Sequence, residues 1–264
     1  MSDLKVTLIQ SDLHWENKEA NLRMFDEKID SIERTEVVIL PEMFSTGFSM
    51  QPEKLAETMD GSAVNWMRSK AASKRIIITG SLIIEENGEY FNRLIWMLPN
   101  GQFGTYDKRH LFGYAGEHEH YQAGDKRLIA QVKGWKINLN ICYDLRFPVW
   151  TRNNIQPATN EPAYDLLVYV ANWPERRKTA WTTLLQARAI ENQCFVVGVN
   201  RVGEDGNKIY HSGESSLIDP MGEIIYRKSG EEDIFTYTLQ REQLNDTRAR
   251  LPFLKDADSF TILP

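Results

Sequence analysis

Residues Gly134–Pro148 read GWKINLNICYDLRFP. Ile137, Leu139 and Ile141 alternate with Lys136, Asn138 and Asn140, the period of a half-buried strand. The alternation stops at Cys142, and Tyr143-Asp144 opens a turn into an expected helix. A thiol between a strand end and a helix start is well placed for chemistry. The free N–H groups and partial positive charge of a helix N-terminus favour a thiolate and can hold an oxyanion. The competing reading is a buried structural cysteine, because free cysteine is among the most buried residue types.

Two further segments bear on that choice. Glu36–Glu42 reads EVVILPE, an apolar β-branched run that ends in an acid. Phe103–Lys108 reads FGTYDK, a short alternating strand that ends in an ammonium and runs on into Arg109-His110-Leu111-Phe112. Three strands thus deliver an acid, a cation and a thiol at their C-terminal ends, where open sheets place their ligands. Taken singly, the Glu and the Lys read equally well as solvated loop residues.

The rest of the chain fits a mixed α/β protein. Strands are expected at Leu4–Gln10, Val37–Leu40, Leu128–Val132, Leu166–Ala171, Val196–Val199, Ser216–Ile218, Glu223–Tyr226 and Ile234–Tyr237. Ile76–Ile84 and Tyr90–Leu98 flank Asn87-Gly88, a hairpin signal. Asn17 is placed to cap a helix with Leu22, Phe25, Ile29 and Ile32 on one face. Ser62–Lys74 and Arg177–Gln193 are the other helices, the latter with Trp181, Leu184 and Leu185 inward.

Composition narrows the function. A chain of 264 residues is long enough for one large domain, expected over residues 1–264, with its own core. Its net charge of −6 argues against a nucleic-acid partner. The start, MSDLKVTLIQSD, has no apolar signal core, and no run of about 18 apolar residues offers a membrane span. Cys142 and Cys194 are expected to be free thiols of a reducing cytoplasm.

LPEMF around Glu42, YDKRHLF around Lys108 and CYDLRFP around Cys142, in that order, resemble the Glu-Lys-Cys signature of the nitrilase, or carbon–nitrogen hydrolase, superfamily. The likeness runs from Leu8–Gln10 to Met221–Ile225. PEMFSTGF, GEHEHYQAG, VANWPERR and ARAIENQ are similar to the omega-amidase branch, which hydrolyses the terminal amide of 2-oxo dicarboxylic acid monoamides. The resemblance implies a four-layer α-β-β-α sandwich of the nitrilase type, with the active site where the two sheets open, and commonly a homodimer. It implies Cys142 as nucleophile, Glu42 as general base and Lys108 as the cation facing the developing oxyanion, helped by the backbone N–H of Tyr143. It also implies a second glutamate, Glu117 by its place before Gly124, with Glu119 the near alternative. None of these steps needs a metal or an organic cofactor.

The substrate is read less directly. The resemblance makes the expectation an omega-amidase acting on 2-oxoglutaramate or 2-oxosuccinamate. The alternatives on the same residues are an N-carbamoyl amino acid amidohydrolase, an aliphatic amidase or a nitrilase. Arg146, four residues after Cys142, is expected on the same face and suits a carboxylate. Its other reading is a structural Arg paired with Asp144 or Asp165. Trp173, Phe48 and Phe44 are candidate pocket walls, their other reading being core, where large aromatics more often lie. If Arg146 is structural, the carboxylate falls to the loop carrying His110, Tyr114 and His118.

Two rival classes remain. An extended Glu117–His120 segment would point His118 and His120 the same way, as a metal site with Glu117, Glu119 and His110 nearby. A non-catalytic scaffold would be free to lose Glu42, Lys108 or Cys142, and all three are present. Arg176-Arg177-Lys178 is expected on the solvated side of the next helix, and Cys194 in a buried strand.

Overall fold

The computed structural model describes residues 2–262. A six-stranded sheet takes the order Asp233–Leu239, Leu4–Gln10, Val37–Ile39, Ile77–Glu86, Glu89–Met97, Phe103–Asp107. Its three inner strands Leu4–Gln10, Val37–Ile39 and Ile77–Glu86 run parallel, and the outer pairings are antiparallel. The second, seven-stranded sheet has Phe195–Val199, Leu166–Val170 and Trp135–Ile141 in parallel at its centre.

Strand alternation decides which surface each side chain covers. On the first strand Leu4, Val6 and Leu8 join the core shared with the second sheet. Ile9 points the other way, into a cluster with Phe25 and Ile29 of helix Lys18–Asp30 and Val64 and Met67 of helix Ser62–Lys74. The next strand repeats this, Val37 and Ile39 facing the sheets and Val38 the helices. On the far side, Gly198 lets helix Lys178–Asn192 sit against its strand. A Cβ there would stand 2.5 Å from Leu185 and 2.8 Å from Trp181. The layers are therefore helix, sheet, sheet, helix, as the family resemblance implied.

Local signals account for several elements. The Asn17 side chain accepts the Ala20 N–H at 3.1 Å, capping the first helix. Asn87 and Gly88 both take positive φ (57° and 82°) between the paired Glu86 and Glu89, the two-residue hairpin turn their residue types favour.

Three expectations need correction. No α-helix starts at Cys142: residues Cys142–Arg146 form a short 3-10 turn, and Pro148 opens a separate four-residue helix, Pro148–Thr151. Proline disfavours helical backbone at Phe147, which breaks the two apart. Glu117–His120 is a helical turn rather than an extended segment. Finally, Arg241–Arg250, which carries no helical pattern in the sequence, is a helix. It is polar almost all round, with only Arg241 and Leu244 buried, so it shows little periodicity.

Candidate active site

Four strand ends, two from each sheet, meet at one edge of the sandwich. Val37–Ile39 leads to Glu42 and Phe103–Asp107 to Lys108, from the first sheet. Trp135–Ile141 leads to Cys142 and Leu166–Val170 to Asn172, from the second.

Glu42, Lys108 and Glu117 are each fully buried, at 0% exposure. Lys108 Nζ donates to Glu42 Oε1 at 2.9 Å and to both oxygens of Glu117 at 3.0 and 2.9 Å. Asn92 Nδ2 bridges the same carboxylates, 2.8 Å from Glu42 and 3.2 Å from Glu117. The second oxygen of Glu42 accepts the Asn172 backbone N–H at 2.8 Å, and that of Glu117 the Phe112 N–H at 2.5 Å. A buried ammonium survives only if its charge is met, and here two carboxylates meet it. Burial alone would strip its proton; Glu117 and Glu42 instead hold its pKa well above the usual lysine range. Burial pushes the Glu117 carboxyl up, Lys108 opposes, and the charge of Glu42 adds to the rise.

Cys142 is 8% exposed and borders a cavity of about 390 Å³. Its backbone takes φ +44°, a left-handed conformation uncommon outside glycine. Burial pushes the thiol pKa well above its ordinary value, and the nearby Glu42 charge raises it further, while Lys108 pulls it back. The helix-terminus argument for a resting thiolate therefore fails here, because no long helix follows and a carboxylate stands closer.

Asp144 is the residue that sequence reasoning missed. Fully buried, it accepts the Ile141 N–H at 3.0 Å and the Tyr106 hydroxyl at 2.7 Å on one oxygen. Its other oxygen accepts the His110 N–H at 3.0 Å and lies 2.8 Å from His110 Nδ1. It thus ties the segment around Lys108 to the turn bearing Cys142. The signal was present, since a small acid three residues past a strand end is a common turn former.

The candidate pocket residues divide. Tyr143, Arg146, Trp173 and Phe48 all line the cavity with Cys142. Arg146 lies with Cζ 4.9 Å above the Trp173 ring, and Lys108 Nζ is 5.0 Å from the Phe48 ring centre. The structural partners considered for Arg146 are taken: Asp144 as above, and Asp165 by Arg241 at 2.9 Å and Arg248 at 2.7 Å. Phe44 does not wall the pocket; it is buried with Phe25 under the helix layer. His110 stacks on Phe147 at 3.8 Å, and Tyr114 is 80% exposed at the mouth.

The loop Gly116–Gly124 also resolves. Glu117 turns inward, while Glu119 and His118 are exposed. In a helical turn residues two apart face different ways, so His118 and His120 diverge. No cluster of three or more metal-ligating side chains occurs among the described residues. Arg176 and Arg177 depart from expectation by bordering the cavity, Arg177 half-buried. Cys194 is fully buried, as expected.

The family model described as Carbon-nitrogen hydrolase matches residues 5–249. The chain is 43% identical over 263 residues to the omega-amidase YafV of Escherichia coli (strain K12), spanning 99% of this chain and 100% of that one. It is 30% identical over 255 residues to the 2-oxoglutaramate amidase of Bacillus subtilis (strain 168), spanning 95% and 96%. Among solved structures it superposes with a TM-score of 0.97 on XC1258 from Xanthomonas campestris, a CN-hydrolase superfamily protein with an arsenic adduct in its active site. That match is 43% identical and covers 99% of this chain and 100% of the other. No helix among the described residues is long and apolar enough to cross a membrane.

Proposed function

This chain belongs to the carbon-nitrogen hydrolase family, and from that premise we propose that it is an omega-amidase, releasing ammonia from the terminal amide of a small 2-oxo dicarboxylic acid monoamide such as 2-oxoglutaramate. The observation that carries this reading is the Arg146 guanidinium, in no ion pair among the described residues and lining the same cavity as Cys142, which lies beside the buried Glu42–Lys108–Glu117 cluster. The cluster suits amide hydrolysis, and the arginine suits a substrate with a carboxylate at its far end.

In this reading Cys142 Sγ attacks the amide carbon as Glu42 takes the thiol proton. The raised thiol pKa makes that transfer part of the attack rather than a step before it. Lys108 and the Tyr143 N–H stabilise the oxyanion. Collapse of the tetrahedral adduct breaks the C–N bond, and Glu42 returns its proton to the departing ammonia. Water then attacks the thioester with Glu42 again as base, releasing the dicarboxylate and restoring the thiol. Glu117 holds Lys108 in place. A setting in the cytoplasm and a homodimer complete the proposal; the native mass, against 30.6 kDa per chain, tests the latter.

Ammonia release by purified protein decides the substrate class. 2-Oxoglutaramate is expected to exceed an N-carbamoyl amino acid, an aliphatic amide and a nitrile in catalytic efficiency. Preference for the carbamoyl substrate would move the protein to that neighbouring activity.

A further inference from the structure

Three arginines border the Cys142 cavity, Arg146, Arg176 and Arg177. Among the described residues none of their side chains is held in an ion pair, and the nearby acids are engaged elsewhere. Glu175 pairs with Lys178 at 3.5 Å. The two acids that line the same cavity are bonded to other partners. Glu16 accepts the Ser49 hydroxyl at 2.6 Å and the Gln51 amide at 3.0 Å, and Asp205 the N–H groups of Asn207 at 2.8 Å and Ile209 at 3.0 Å.

Arg146 and Arg177 are nonetheless positioned. Each lies over an aromatic ring, Arg146 above Trp173 at 4.9 Å and Arg177 above Phe112 at 5.0 Å. Trp173 Nε1 donates to the Arg177 carbonyl at 2.9 Å, so the ring under one arginine is fastened to the backbone of the other. Phe112 meets Tyr143 edge-on at 5.0 Å, next to the thiol. Burial lowers the Arg177 pKa, and the like charges of Arg176 and Arg146 lower it further. Guanidinia gathered without a counter-ion repel, and a bound anion removes that cost.

We propose that Arg177 is the second half of a two-arginine clamp, with Arg146, that takes the carboxylate at the 2-oxo acid end of the substrate. This rests on the omega-amidase reading for the identity of the anion. A carboxylate offers two oxygens, and two planar forks approaching from separate rings fix its position as one point charge would not. Arg176, exposed, adds field at the mouth.

The test separates binding from turnover. In a Cys142→Ala background, 2-oxoglutarate binding is followed by calorimetry, with and without Arg177→Gln, Arg146→Gln or Arg177→Lys. Each Gln variant is expected to weaken binding by about 10- to 150-fold, the range of a lost charge-assisted hydrogen bond, with Lys recovering part of it. In active enzyme, Arg177→Gln should lose at least about tenfold more efficiency on 2-oxoglutaramate than on butanamide. Binding within about twofold of the parent in Arg177→Gln, equal losses on both amides, or no 2-oxoglutarate binding by the parent overturns the clamp. Wild-type enzyme that ignores 2-oxoglutaramate but binds 2-oxoglutarate through Arg177 overturns the substrate reading and leaves the clamp standing.

Discussion

Cys142 combines a strained backbone with a reluctant acid. A non-glycine residue held at positive φ costs about 1–3 kcal/mol, and such strain persists where the surroundings fix it. Its raised thiol pKa means the free enzyme holds a protonated sulfur at neutral pH. Iodoacetamide should therefore label Cys142 more slowly than an exposed thiol and faster as pH rises, with activity lost in step. Cys194, at 0% exposure, should stay unlabelled while the protein is folded. Peptide mapping that found Cys194 modified first would sink the nucleophile assignment, and Cys142→Ala should abolish turnover with the fold intact. Lys108→Met tests the neighbouring charges. Removing the cation leaves two buried carboxylates, at about 3–5 kcal/mol for breaking such a set. With Lys108 no longer opposing it, the burial that already pushes Glu117 up sets its folded-state pKa further above the unfolded value. Stability from such groups is present below the unfolded pKa and lost as pH rises through the folded one. The melting temperature of Lys108→Met should therefore climb toward that of the parent as pH falls from neutral toward the ordinary carboxylate range. A gap that widens as pH falls would contradict the charge assignment.

The turn Cys142–Arg146 depends on Asp144 more than on its own helical bonds. Asp144→Asn keeps the shape but replaces one acceptor oxygen with a donor, which must face the N–H of Ile141 or His110 or the Tyr106 hydroxyl. The expected result is a melting temperature several degrees lower and a kcat about 10²-fold lower, since misplacement by an ångström costs on that order. With butanamide and 2-oxoglutaramate equally affected, Asp144 is a positioning residue; a change in substrate preference instead would put it in contact with substrate. What the sequence revealed follows from the same local physics. Strands with a two-residue period, the Asn87-Gly88 turn and the Asn17 cap were legible because adjacent residues decide them. The helix expected after Cys142 was not, because the buried Asp144 and Pro148 override the local pattern. Glu42, Lys108 and Cys142 were legible as strand ends. Arg177 was misread, and the choice between core and pocket wall for Phe44 stayed open, because facing depends on which layer covers a residue: Phe44 lies under the helices, and Arg177 turns back over Phe112.

The site draws Glu42 and Lys108 from one sheet and Cys142 and Asn172 from the other, so its geometry depends on how the sheets stack. Leu8 and Ile9 offer a controlled comparison. They are neighbours on one strand, both essentially buried, and their side chains leave opposite faces. Leu8 packs into the core between the sheets, and Ile9 into the layer under Phe25 and Met67. Truncating either to Ala leaves a cavity and costs about 2–5 kcal/mol, so chemical denaturation should report similar destabilisation. Their effects on catalysis should differ. Collapse around the Leu8 cavity draws the sheets together and shifts the acid and the ammonium against the thiol. Collapse around the Ile9 cavity moves a helix on the far side of the sheet. At a temperature where both variants are fully folded, Leu8→Ala should lower kcat on 2-oxoglutaramate by about tenfold or more, while Ile9→Ala stays within about twofold of the parent. Equal kcat values at equal destabilisation would mean that the short bonds across the site, such as Glu42 to the Asn172 N–H at 2.8 Å, hold its geometry against the packing beneath.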